Sequence, residues 1–328
     1  MIFAIAHFFR QAVIQGIPLL FGSTGEIITE KAGHLNLGIP GIMYVGGISG
    51  IIGAFFYELH GDTSNVFLCV FIPFICSLIG SAFMGFIYSF LTITLRANQN
   101  VTGLALTTFG IGVGNFFGGS LPKLAGQASG SISLVTTGNY FKASLPAATK
   151  MGSFGEAFLS YGFLAYLAII IAVICAFILK KTRTGLNLRA IGESPQAADA
   201  AGINVTKYKY IATITGSAIA GLGGLYFVMD YTGGAWTNGG FGDRGWLAIA
   251  LVIFAIWNPK LAMVGSILFG GLFILPVQFS GLSSAATELI KMLPYIVTIL
   301  VLIITSLTKR KETQPPESLG LSYFREER

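Results

Sequence analysis

Apolar residues run along this chain in long unbroken stretches, and the charged residues gather in the gaps between them. Stretches free of charge fall at 11–25, 35–57, 66–95, 97–122, 161–179, 211–229, 245–259, 261–279 and 292–308. A helix needs about 20 mostly apolar residues to cross a bilayer, so the pattern predicts about nine spans, within a range of roughly eight to ten. The first run and 245–259 are short, and 66–95 is long enough to tilt or to kink near Pro73. Continuous rather than alternating apolar character argues against a barrel. The expected fold is all-α, a polytopic integral membrane helix bundle. Its one evident interruption is "GHLNLGIPG" at Gly33–Gly41, where three glycines and Pro40 predict a broken helix.

Composition sharpens this. Hydrophobic residues make up 53% of the 328 positions and charged residues 10%, against about a quarter charged in soluble domains. Mean hydropathy is +0.74. The 43 glycines suit closely packed membrane helices. The net charge of +6 forms no basic face, which excludes nucleic acid as a partner and leaves bilayer orientation as its use. Cys69, Cys76 and Cys175 all lie inside apolar stretches and read as small core residues. His7, His34 and His60 show no metal-ligand spacing, and no cleavable signal peptide is evident.

Threading nine spans puts alternate gaps on opposite sides. One side collects Lys31, Arg96, the basic residues from Lys180 to Lys209, Lys260, Lys309, Arg310, Lys311, Arg325 and Arg328. The other holds Arg10, Lys123, Lys142, Lys150, Arg244 and Lys291. The positive-inside rule places the richer side, with the C-terminal tail 309–328, in the cytoplasm, and the N-terminus outside. Residues 1–308 form a single membrane domain on this reading. Its polar segment 121–160, rich in Gly, Ser, Thr and Ala, is an extracytoplasmic loop or a partly re-entrant cap.

Residues 180–210 form the main cytoplasmic loop and contain "LRAIGESPQAADAAGINVTKYK" (Leu188–Lys209). Ser194 suits an N-cap, Pro195 the first helical position and Gly202 the residue just past the end. The predicted helix is about two turns long, with Ala197, Ala198 and Ala201 on one face. It buries too little to stand alone. It is either a solvated connector or a small-residue face for a groove on another protein, with Arg189, Glu193, Lys207 and Lys209 at the rim.

That stretch resembles the cytoplasmic coupling segment of ABC importer permeases, in the class serving branched-chain amino acids, ribose-type sugars and nucleosides. "GEIITEKAGHLNLGIPGIMYVGG" (Gly25–Gly47), "GDRGWLAIALVIFAIWNP" (Gly242–Pro259) and the tail "PPESLGLSYFREER" (Pro315–Arg328) are similar to further signatures of the class, most closely its nucleoside-type branch. Two departures, Pro40 and the Asp243-Arg244 pair, fall where that branch more often has Glu and a small residue. The resemblance implies a permease subunit of the bacterial cytoplasmic membrane. Its implied partners are a cytoplasmic ABC ATPase, a second permease that is typically a different chain, an extracytoplasmic solute-binding lipoprotein and the surrounding membrane lipid. It implies import of nucleosides, with ribose or another simple sugar as the alternative. It also assigns ATPase coupling to Arg189, Glu193, Ser194, Pro195, Ala197, Ala198, Ala201 and Gly202.

The residues agree by what they lack. No GxxxxGK[ST] loop occurs, so ATP belongs to the partner and this chain is expected to bind no cofactor. No nucleophile–base cluster surrounds His34, Glu26 and Glu30, which argues against an enzyme. An ion-coupled secondary transporter would need ionisable residues deep in its spans, and the sequence shows almost none. Candidate pathway residues are Asn36 at the break, Asn115 as the most interior amide, Phe109 and Trp236. Each has a plainer role available. Asn36 can cap a helix, Asn115 can bond between helices, and Trp236, in "MDYTGGAWTNGGFGDRGW", can anchor at an interface rather than stack on a ring. Glu26 and Glu30 read equally well as interfacial.

Overall fold

The computed structural model describes residues 2–124, 126, 132–146, 148–278, 283–308 and 314–324. Lys309–Lys311, Arg325 and Arg328, which contribute to the predicted charge asymmetry, lie outside these.

Among the described residues the chain is helical. The elements are α1 (Ile2–Lys31), α2 (Ile39–His60), α3 (Val66–Ser89), α4 (Gln99–Leu124), α5 (Val135–Lys142), α6 (Gly152–Phe158) and α7 (Phe163–Lys181). There follow α8 (Arg183–Glu193), α9 (Pro195–Ala200), α10 (Val205–Tyr226), α11 (Arg244–Phe254), α12 (Pro259–Gln278), α13 (Ser284–Lys291) and α14 (Leu293–Thr308). Helices α3 and α10 each run on through a π-helical turn, Phe90–Thr94 and Phe227–Tyr231. Among the described residues eight helical stretches are long and apolar enough to cross a membrane.

The predicted span 245–259 is not among them. Helix α11 has 11 residues, about 16 Å of rise, roughly half the hydrocarbon thickness. It stops where Ile256 and Trp257 both turn left-handed (φ 51°). The crossing is nevertheless completed, because irregular backbone at 232–243 carries the chain inward before α11 begins. Contacts at the two ends establish this. One end joins Gly33, Gly192, Ser318 and Gly320 through backbone hydrogen bonds, and Trp257 reaches the same end by bonding Glu30. The opposite end joins His7 to Glu156, Thr137 to Glu58 and Tyr140 to Thr63. The start of α1 and the described tail therefore lie at opposite ends of the bundle.

Small residues let the central helices approach. Gly46 meets Gly221, Gly25 meets Gly216, and a Cβ on Gly224 would lie 1.8 Å from the Met43 carbonyl oxygen. Apolar lipid offers no drive for helix association, so this close backbone contact does the packing. Gly224→Leu is accordingly expected to destabilise the bundle by about 3 kcal/mol. The measurement is loss of the monodisperse peak of detergent-solubilised protein, with Gly112→Leu, whose Cβ would meet nothing within 4 Å among the described residues, as the unaffected control.

The 121–160 segment differs from a plain loop. Its start belongs to α4, and its described part contains α5, α6 and a 3-10 turn. An isolated bridge ties Ser133 to Ala235, and Phe158 packs 5.5 Å from Phe9. The described tail also departs from a free extension, since Leu319 joins the main core.

Candidate functional site

Helix α9 forms as its local chemistry dictates. Ser194 accepts a hydrogen bond from the Ala197 amide (3.3 Å), Pro195 opens the helix, and Gly202 adopts φ +82° just past the Ala201 cap. The alanine face divides. Ala198 is buried against Ile191 and Val205, whereas Ala197, Ala201 and Gly202 are exposed. Of the predicted rim, Glu193 is exposed and Arg189 sits on α8, while Lys209 is buried and cannot serve as rim. Ser194 is half-buried and Pro195 buried. Helices α7, α8, α9 and α10 follow one another through short connections, so α9 is joined to α10 and, through α8, to α7.

The tail ties this unit to the bundle. The Ser318 amide donates to the Gly192 carbonyl (2.9 Å), the Gly320 amide donates to Gly33 (3.3 Å), and Gln99 donates from Nε2 to Leu321 (3.3 Å). Gln99 in turn accepts from the Leu35 amide (2.8 Å). These long-range contacts leave no local sequence signal.

At the break, Asn36 is fully buried. Its amide donates to Glu26 (2.9 Å) and its side chain accepts from the Gly38 amide (2.9 Å), turning the chain into α2. Tyr88 and Thr107 donate to the carbonyls of Leu35 and Leu37. Glu26 and Glu30 lie in the last two turns of α1, at the bundle end that Trp257 and the tail share. Both are buried, and Glu30 bonds the Trp257 indole. The pair therefore belongs to the end of α1 that meets the break, not to the middle of a span.

A second region centres on Tyr44, which the sequence reading passed over. Its hydroxyl donates to Asn115 (3.2 Å) and accepts from the Gly239 amide (2.8 Å). Trp236 and Phe241 meet its ring edge-on at 5.3 and 6.1 Å. Trp236 is half-buried against Gly114 and Gly118, and its indole donates to Asn238 (2.8 Å). The cavity among these rings is only about 10 Å³, too small for more than a single water. Asn115, Trp236 and Tyr44 therefore meet, while Phe109 stands apart, exposed on α4, and Asn36 lies at the break.

The chain from Trp236 to Gly245 descends within the bundle. Asn115 is sixteen residues from the start of α4 and nine from its end, about 24 and 14 Å. Gly245 abuts Pro40 at the start of α2, which packs beside Leu106. Along this descent Thr237–Gly240, Gly242 and Asp243 are exposed, beside the exposed α4 residues Thr108, Phe109, Gly112 and Phe116.

Arg244 begins α11 and is buried, so it is not an outer-loop charge and does not enter the orientation count. It donates to Phe241 and Gln15 (both 2.9 Å) and lies 4.6 and 4.7 Å over the rings of Phe227 and Phe273. A charge at membrane depth costs about 2.5–3.5 kcal/mol on insertion scales. A desolvated ring contact returns about 2, and the two hydrogen bonds cover the remainder.

A bundle of long apolar helices, broken in two places and carrying a short polar-capped helix between two spans, is that of a multi-pass membrane protein. Residues 9–302 match the family described as branched-chain amino acid transport system / permease component, and the chain belongs to it. It is 34% identical over 267 residues to the putative glucose ABC transporter permease protein TsgC13 of Haloferax volcanii, covering 81% of this chain and 76% of that one. It is 31% identical to the nucleoside ABC transporter permease protein NupC of Lactococcus lactis, covering 88% and 89%. It is 27% identical to the guanosine ABC transporter permease protein NupQ of Bacillus subtilis, covering 96% of each. The protein is a permease subunit of an ABC importer and not itself an enzyme. Such a permease works with an ATPase and a binding protein, and the family implies no cofactor.

Proposed function

We propose that this subunit carries nucleosides inward along the face formed by Thr237–Asp243 and the exposed side of α4. One observation carries the path. Irregular polar backbone stands exposed on this chain at a depth where lipid does not tolerate it. Such a surface is stable only against a second permease chain or along a watered route. Phe109, Asn115 and Trp236 lie on or beside that face, and the Tyr44 cluster behind it fixes the descent. Asn36, at the break, holds the start of α2 rather than facing the route.

The substrate class rests on two relatives named for nucleosides and guanosine. A simple sugar is the second reading, supported by the relative named for glucose. The α9 helix is the ATPase contact within the loop 180–210, with Arg189, Glu193, Ser194, Ala197, Ala201 and Gly202 on its accessible side and the buried Pro195 and Ala198 holding it in place. Residues 1–308 are the permease domain and 309–328 its cytoplasmic tail, the described part of which, 314–324, is seated on Gly192 and Gly33. Charge asymmetry supports an outer N-terminus and a cytoplasmic C-terminus in the bacterial cell membrane. The second permease is a different chain, and a lipoprotein delivers the solute.

The test is uptake into vesicles carrying the whole assembly, with radiolabelled uridine, adenosine and ribose supplied separately. ATP-dependent accumulation of the two nucleosides, unaffected by excess ribose, is expected. Accumulation of ribose alone would keep the machine and replace the substrate class.

A further inference from the structure

We infer that the cavity between the ends of α3 and α10 and the tail binds the phosphate of an anionic phospholipid. The cavity measures about 700 Å³ and is lined by His34, Thr92, Arg96, Asn204, Lys207 and Lys209. Among the described residues Asp199 is its one acidic lining residue.

Two of the lining side chains are built for an anion rather than for solvent. Lys209 is only 2% exposed, and among the described residues no carboxylate lies within 4.0 Å of its ammonium. His34 is equally buried, and among the described residues neither of its ring nitrogens has a hydrogen-bond partner. Burial and the Lys209 charge beside it hold the His34 imidazole well below its ordinary range. It is therefore a neutral ring with one N–H to donate. Arg96 closes the rim, its guanidinium 4.6 Å over the Phe324 ring. A buried ammonium, a donor imidazole and a rim guanidinium together match a phosphodiester, whose oxygens only accept.

The surroundings select a lipid over a soluble phosphate. From the cavity mouth an exposed apolar ridge runs along the α3–α10 seam, made by Phe86, Phe90, Leu95 and Ile211. Phe86 stacks on Phe90 and also meets the Tyr210 ring, each at 6.4 Å. A headgroup in the cavity would lay its acyl chains along this ridge. Basic pockets between spans at an interface hold acidic headgroups in this way. The site lies at the same end as α9, and it borders the residues Gly202–Val205 that connect α9 to α10.

The full-length chain would be reconstituted in nanodiscs of phosphatidylcholine alone, or with an equal part of phosphatidylglycerol, then extracted for native mass spectrometry. Selective retention of phosphatidylglycerol is expected, about fivefold weaker in Lys209→Gln. Should that buried substitution prevent folding, the exposed pair Arg96→Asn and Lys207→Gln is expected to weaken retention at least as much. Asn suits the Arg96 backbone, which is left-handed (φ 58°). Equal retention of both lipids, or undiminished retention in the rim pair, overturns the inference. Displacement of the lipid by inorganic phosphate would make the site one for free anions. Displacement by the partner ATPase would give the cavity to that protein.

Discussion

Replacing Pro195–Gly202 with a flexible Gly/Ser linker is expected to bring ATP-driven uptake down to the level seen without ATP, with the spans still folded. The helix is short, and alone it would be marginal. It is held by the Ser194 cap, by Pro195 at its first position and by Ala198 packed on Ile191 and Val205. A linker removes all three supports and leaves α7 and α10 joined by a slack tether. Movement of an attached ATPase then dissipates in the tether instead of rocking the spans. The partner's ATP hydrolysis should persist without transport, which separates lost coupling from lost assembly. Uptake that survived the replacement would return α9 to the status of a connector.

The second large effect is expected from Gly112→Trp. A Cβ there meets nothing within 4 Å among the described residues, and Gly112 sits between the exposed Phe109 and Phe116 on α4. Within the isolated subunit the change should be neutral or slightly stabilising, since glycine is unfavourable by about 1 kcal/mol in a helix. If the α4 face lined only lipid, a tryptophan would be tolerated there as well. If the face meets a second permease or borders the path, the indole obstructs it. Unchanged melting of the subunit with uptake reduced to background is the expected pair of results. Normal uptake would mean that the α4 face looks at lipid.

What the sequence made legible follows from range. Spans announce themselves through continuous apolar runs, and eight of the nine candidates correspond to full-length helices. The caps of α9 were readable because Ser194, Pro195 and Gly202 act on their own neighbours. The break near Gly33–Gly41 was visible for the same reason. The short α11 was not, because apolar content cannot tell a half-length helix from a full one. What shortens it is tertiary, the burial of Arg244 among aromatic rings at one end and the Trp257–Glu30 contact at the other. Tyr44 carries no polar neighbours in sequence, so its role as the joint between α2, α4 and the 232–243 descent emerges only from packing. The tail's seat on Gly192 and Gly33 joins residues far apart along the chain, and no local pattern encodes it.

The central claim is that the exposed descent Thr237–Asp243 borders the solute's route. The most direct measurement is thiol labelling of Asn238→Cys in the assembled transporter. Cys69 and Cys175 are buried and Cys76 is half-buried, and all three would be replaced by alanine to give a silent background. A small membrane-impermeant maleimide would be added from outside, with and without uridine. Labelling that uridine slows, and that changes when ATP is supplied, is the predicted result. A thiol that never reacts from the aqueous phase, or reacts at one rate regardless of uridine and ATP, would contradict the account.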